Sequence, residues 1–422
     1  MRNFCEQISP STTPTEQRIE RYKTLKSNVG TITPVRSRDV PDGLEVLVQA
    51  SNAGKIQMAF MLSEGSHPTL SGIRIEEMSD GAPQSQQPIA ARPENAVLSD
   101  IKQLVESKVK TDEFSGTILI ARDKEVVWEA AYGLADRNFN IPNQVTTRFD
   151  IGSIAKSFTR VAIAQLVEQG KLHLTDTLGQ YLPEYPNQAA REKVTIDELL
   201  NMQSGIGDFF GLRFQQTPRG DIRSLADYLP LFASEPLAFE PGSKKAYSNG
   251  GYVVLGLIVE KVSGESYYDY VQKHIFAPAG MKNTDFPFSD MPHDGEAIGY
   301  SKIANEDGKF TVPVNTRREN ALMLPSRGSS AGSARSTVRD LLAYSQALTA
   351  NVLLKSATAE KFQISGSDMG VAGGAPGLNA SLDTGIPGAG TSAYSIIIMS
   401  NYDPPSAESL ARQVRPLLRS AK

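Results

Sequence analysis

The chain reads as an α+β protein: an antiparallel sheet built from segments near both ends of its main domain, flanked by helices, with a mostly helical region inserted between them. Three observations carry this. Apolar strand runs occur at residues 116–121, 126–130 and 394–400. The stretch from 153 to about 272 has helical spacing with long loops, and helices precede the first run and follow the last. Strands at both ends with helices between require a sheet closed by distant segments.

Taken in order, the chain opens with a polar stretch expected to be helical over about 14–28. Strand-like alternation follows at Leu44, Val46 and Val48, then at Ile56, Met58, Phe60 and Leu62, with Asn52-Ala53-Gly54 as the turn. Ile73 and Ile75 indicate one more strand. Residues 1–78 are therefore expected to form a small α+β domain without visible chemistry. Residues 79–97, rich in Pro, Gln, Ser and Ala, are expected to be a linker. The main domain, 98–422, begins with a helix over 98–110 and a hairpin that turns at Asp123-Lys124. Thr195-Ile196-Asp197-Glu198 is a capping box ahead of Leu199 and Leu200. A strand at 394–400 and a helix over about 407–418 close the chain.

An apolar content of 40% with 21% charged residues suits a globular protein with a sizeable core. A net charge of -4 gives no footprint for nucleic acid or an anionic membrane. The apolar runs at 253–259 and 396–398 are too short to span a bilayer, so no integral membrane segment is expected. The single cysteine, Cys5, excludes an internal disulfide framework and a cysteine metal site. No charged and apolar export signal precedes it, so a lipidated cysteine is not expected. His67, His173, His274 and His293 are scattered, with no H-E-x-x-H pair, so no metal is expected. Neither a G-x-x-x-x-G-K loop nor a G-x-S-x-G elbow occurs.

Chemistry concentrates at Ser153-Ile154-Ala155-Lys156. Side chains three apart share a helix face, so the lysine can sit beside the serine hydroxyl. A buried lysine loses its proton readily and can then activate the serine as nucleophile. A serine at a helix start also offers its own N–H to an oxyanion. The bland reading is a capping serine beside a snorkelling lysine. Ser107-Lys108-Val109-Lys110 repeats the pattern on a charged, solvated face, so context decides. After Ser153 come Phe158, Val161, Ala162, Leu166 and Val167 at helical spacing, closed by Gly170.

A second group is Tyr247-Ser248-Asn249, in a glycine-flanked loop before an apolar helix. A tyrosine beside a lysine can relay a proton, and the asparagine amide can bond both the lysine and a substrate carbonyl. The competing reading is a loop tyrosine with a turn-forming asparagine, as Tyr185-Pro186-Asn187 illustrates.

Ser-x-x-Lys, then Tyr-Ser-Asn, then a glycine-rich C-terminal strand resembles the serine β-lactamase and penicillin-binding-protein superfamily, closest to class C β-lactamases, family VIII esterases and D-aminopeptidase-like hydrolases. The resemblance runs from about 100 to 410. Leu199-Leu200-Asn201-Met202-Gln203-Ser204-Gly205 is similar to its L-L-x-H-x-S-G loop. Phe239-Glu240-Pro241-Gly242 is similar to its F-x-P-G. Residues 278–284 and 330–340 match its P-L-G-M-x-x-T and S-A-G-G-x-x-S-T-x-x-D. This resemblance implies a β-lactamase/transpeptidase-like fold. It implies Ser153 as nucleophile, Lys156 as its activator, Tyr247 as proton shuttle and Asn249 as the orienting amide. The oxyanion hole would join the N–H of Ser153 to that of Gly374. Export to the periplasm or medium is implied by family, with a cytoplasmic location left open. Proton and acyl transfer alone need no cofactor.

The third motif departs from the pattern. Gly370-Val371-Ala372-Gly373-Gly374 has Val371 where the family has a lysine or histidine, and Ala372 where it has a hydroxyl. A lost cation predicts poor recognition of substrate carboxylates, and hence small uncharged or weakly charged acyl compounds, above all carboxylic esters. One alternative is a β-lactamase or D-Ala peptidase that draws its cation from Arg327 or Arg335. A second is a catalytically impaired relative that binds acyl ligands, or a partner through its N-terminal unit. That unit either caps the site or pairs subunits in a homo-oligomer; the sequence leaves both open. Met202, in place of the family's histidine, has no account at this level.

Overall fold

Apolar runs without alternation suit strands covered on both faces. The computed structural model describes residues 31–40, 43–50, 54–62, 70–78, 91–291, 294–306 and 309–422. Contacts divide the chain into two units, Met1–Ile89 and Ala90–Lys422. The first holds β1 (Ile32–Val40), β2 (Gly43–Ala50), β3 (Gly54–Leu62) and β4 (Leu70–Met78), an antiparallel sheet in sequence order. Val46 pairs with Met58 and Phe60 with Ile73. Strand β1 was not foreseen: it carries Pro34 and alternating charges, and its register shifts between Pro34 and Arg36. A proline is tolerated there because β1 is an edge strand. The helix expected at 14–28 lies outside the described residues, as do Asn52 and Ala53.

The second unit contains α1 (Glu94–Lys110), β5 (Gly116–Arg122) and β6 (Glu125–Tyr132). Its helical region includes α2 (Lys156–Glu168), α3 (Ile196–Leu200) and α4 (Asn249–Ser263). It closes with β7 (Gly370–Ala375), β8 (Leu378–Pro387), β9 (Ala393–Ser400) and α5 (Ser406–Leu418). Helix α1 starts within the stretch that composition assigns to a linker. Pro93 precedes it and Glu94 sits in its first turn, both suited to a helix start.

The main sheet is antiparallel, ordered β7-β8-β9-β5-β6. Strands from opposite ends of the domain meet at its centre, with Ile398 opposite Ile118 and Ile396 opposite Ile120. Alternation then splits one apolar run between two layers. Ile118, Ile120, Ile396 and Ile398 pack with Val97, Ile101 and Val105 of α1 and with Leu410, Val414 and Leu418 of α5. Leu119, Ala121, Ile397 and Met399 join the larger core of the helical region, built on α2 and α4. Residues Gly250 to Val259 of α4 are all buried. A Cβ on Gly256 would stand 2.6 Å from Leu225 Cδ1, so the helix centre has no room for a side chain there. A two-stranded hairpin over Tyr300–Glu306 and Lys309–Glu319 is a further element that the sequence reading had not marked.

Candidate active site

Ser153 lies in the 3-10 turn Gly152–Ala155, and α2 begins at Lys156. In that tight turn residues three apart eclipse each other, which sets the lysine beside the serine. Lys156 Nζ stands 3.1 Å from Ser153 Oγ. It donates to Asn249 Oδ1 at 2.7 Å and to the main-chain oxygen of Ala331. Tyr247 OH contacts Ser153 Oγ directly, and the tyrosine ring centroid lies 4.7 Å from Lys156 Nζ. Lys156 and Tyr247, from two distant segments, thus meet at the Ser153 hydroxyl, and Asn249 joins them through the lysine.

The capping chemistry explains why. Ser248 caps α4 by accepting from Gly251 N at 2.8 Å, which puts Asn249 at the helix start and Tyr247 just outside it. Two further contacts hold this loop. Met202 Sδ accepts from Ser248 N at 3.3 Å, and Met202 O accepts from Ala246 N at 2.9 Å. The methionine at the expected histidine position therefore has a structural function, held at φ 61°. The capping box at Thr195 is formed as read, with Glu198 Oε2 accepting from Thr195 N at 2.8 Å.

Lys156 is 7% exposed. Removal from water lowers its pKa from the usual 10.5 to about 7, against the Asp208 carboxylate, which raises it. Partial desolvation pushes the Tyr247 hydroxyl above the ordinary tyrosine value although much of the side chain is exposed, opposed by the Ser153 hydrogen bond and aided by Asp208. Asp208 enters through Asn249, whose Nδ2 donates to Asp208 Oδ2 at 2.6 Å. The sequence reading missed Asp208, though it stands three residues beyond the Leu199–Gly205 motif. It missed Ala331 O as well, because a main-chain acceptor leaves no residue-type signal.

Strand β7 forms the open edge beside Ser153. Its two-residue turn to β8 makes Ala375 and Leu378 a paired couple, so the N–H of Gly374 points to the free edge. There the two main chains touch: a Cβ on Gly152 would stand 2.8 Å from Gly374 N, and one on Gly373 would stand 2.6 Å from Ser153 N. Only glycine permits this approach.

In front of Ser153 is a cavity of about 400 Å³. Phe209, Phe210, Tyr228, Leu324 and Pro325 give it an apolar wall, while Ala372, Gly373, Gly374 and Ala375 form the β7 side. Val371 is not part of this lining. It packs partly buried on the main core and borders a neighbouring recess further along the strand. Arg335 is paired with Asp150 at 3.5 Å and Glu296 at 3.4 Å. Arg327 donates to Phe286 O at 2.9 Å and stacks on the Tyr268 ring. Neither arginine lines the cavity.

The beta-lactamase family profile matches residues 101–418. The chain belongs to the beta-lactamase family. This family member is 31% identical over 265 residues to a penicillin-binding protein of Bacillus subtilis (strain 168), covering 62% of this chain and 58% of that one. It spans about half the length of the curated relatives it matches. A penicillin-binding protein structure from Bacillus halodurans is similar with a TM-score of 0.62 at 29% identity, covering 76% of this chain and 99% of that one. The D-amino acid amidase of Ochrobactrum anthropi shares the fold, with a TM-score of 0.62 at 21% identity over 77% of this chain and 98% of that one. The α+β fold with serine β-lactamase architecture is thus established, and with it membership of a hydrolase family.

The remaining resemblance motifs also meet in space. Asp340 Oδ2 accepts from Asn283 N and Thr284 Oγ1, both at 2.7 Å, which ties the segment over 278–284 to that over 330–340. Gly242 N donates to Gln203 O at 2.9 Å, which ties the F-x-P-G turn to the Met202 loop. The decoys separate as well. Tyr185 is buried and Asn187 caps a short helix, while Ser107 donates to Leu104 O within α1. Among the described residues, no helix is long and apolar enough to cross a membrane.

Proposed function

We propose that this protein hydrolyses small acyl compounds, chiefly carboxylic esters, through an acyl-enzyme on Ser153. The observation that carries the reading is the contact of Ser153 Oγ with both Lys156 and Tyr247, beside a largely apolar cavity whose lining, among the described residues, includes no cationic side chain. Neutral Lys156 takes the proton of Ser153 Oγ as that oxygen adds to the carbonyl carbon. The N–H groups of Ser153 and Gly374 hold the oxyanion. Tyr247 passes a proton to the departing alkoxide, so an alcohol leaves and an ester to Ser153 remains. Water then adds to that ester, losing its proton to the same pair, and the acid is released.

The test is a panel of p-nitrophenyl butyrate and nitrocefin, run on the wild type and on Ser153→Ala. Ester turnover abolished by Ser153→Ala is expected; turnover that survives it ends this reading. The similarity to penicillin-binding proteins favours a second reading, action on β-lactams or D-Ala peptides. Against it, Arg327 and Arg335 are both engaged away from the cavity. A clear preference for nitrocefin over the ester would reverse the ranking.

A further inference from the structure

Among the described residues, a single charged side chain lines the Ser153 cavity, and it is acidic: Glu408. Glu408 sits in the first turn of α5, where the helix dipole favours a carboxylate. Its fixation goes further than that. Glu408 Oε2 accepts from Asn379 Nδ2 at 2.9 Å, and the same amide donates to Gly373 O at 3.0 Å. Asn379 Oδ1 accepts from Ala407 N at 2.7 Å and Glu408 N at 3.1 Å. One asparagine therefore locks the start of α5, and its carboxylate, to the strand that flanks Ser153.

The neighbouring charges do not neutralise Glu408. Arg415 is held by Asp383. Arg412, one turn along α5, is exposed and borders the adjoining recess that Glu408 shares. Among the described residues no cation stands within ion-pair distance of Glu408. A swing of Arg412 to close that gap would make only an exposed helix pair, which contributes little. A substrate cation can displace it.

The geometry points to Glu408 as a specificity residue that favours substrates carrying a positive charge, an ammonium or quaternary ammonium group, along the β7 side of the cavity. This rests on the acyl-transfer reading of Ser153. The apolar wall then takes the hydrocarbon part of the substrate and Glu408 its charged end.

The test compares kcat/KM for matched esters on the full chain. One set is p-nitrophenyl esters whose acyl chains of equal length end in trimethylammonium, tert-butyl or carboxylate. The other is butyrate thioesters of thiocholine and of its 3,3-dimethylbutyl analogue, which puts the cation on the leaving group. The wild type is expected to favour the cationic member of one pair by roughly two- to fivefold, the scale of a solvent-exposed charge pair. Glu408→Gln keeps an acceptor for Asn379 and should bring that ratio to about one. A ratio unchanged in Glu408→Gln, or no cationic preference in either pair, overturns the assignment. So does a preference for the carboxylate ester that Arg412→Gln removes. Ser153→Ala separates the two levels: ester turnover that it abolishes leaves any failure with Glu408 alone, whereas turnover that survives it condemns both.

Discussion

Lys156 offers a prediction in which stability and catalysis must report the same number. Its pKa falls from the usual 10.5 to about 7 because burial strips the ammonium of water, against the opposing charge of Asp208. An unfolded chain keeps this lysine protonated up to its ordinary pKa, while the folded chain releases the proton near neutrality. Between those values the unfolded state binds more protons, so stability rises with pH; the full cost is present below the folded pKa. From about pH 6 to about pH 9 the two values integrate to roughly 2.5 kcal/mol, at 1.36 kcal/mol per unit. Lys156→Met removes the titrating group at similar length. The unfolding free energy of wild type minus variant should therefore climb by about 2.5 kcal/mol across that interval. Urea denaturation followed by circular dichroism at several pH values reads this difference directly. The acid limb of kcat/KM for p-nitrophenyl butyrate should independently fall near pH 7. A flat stability difference would mean that the ammonium stays charged in the fold, and the reasoning about Lys156 as a base would collapse.

Other changes probe its surroundings. Asp208→Asn keeps an acceptor for Asn249 but removes a charge that raises both Lys156 and Tyr247, so the whole pH–rate profile should move to lower pH; a drop in height without movement would refute the electrostatic part. Gly373→Ala puts a methyl group 2.6 Å from Ser153 N. An ester rate loss of about hundredfold or more is expected from the displaced nucleophile, and near wild-type rates would show that the two main chains can part cheaply. Met202→Leu leaves the buried Ser248 N–H without its sulfur acceptor. Unfolding free energy should fall by about 1 kcal/mol, with a lower kcat as Tyr247 loosens, and no change in either would rule the sulfur contact irrelevant.

What was legible in the sequence was mostly local or strongly periodic. Ser153 and Lys156 are three residues apart, Tyr247 and Asn249 two apart, and the central strands announce themselves as unbroken apolar runs. Partners set by tertiary approach left less trace. Asp208 meets Asn249 across 41 residues and Ala331 meets Lys156 across 175, through an exposed acid and a plain carbonyl. Val371 shows a different limit. Motif resemblance places it on β7 but does not say which way its side chain faces; the missing cation is a property of the cavity lining as a whole. Strand β1 escaped notice because Pro34 and its charges hide a strand that only an edge position tolerates.

The three neighbours of Lys156 Nζ also fix a direction. Asp208 can only accept, so Asn249 must turn its amino group there and its oxygen towards the lysine. Ala331 presents a carbonyl, another pure acceptor. A neutral amine has two hydrogens and one lone pair, and both hydrogens are thereby claimed. The lone pair is left facing Ser153 Oγ, 3.1 Å away. Valence alone then makes this amine a proton acceptor towards the serine, before any substrate arrives.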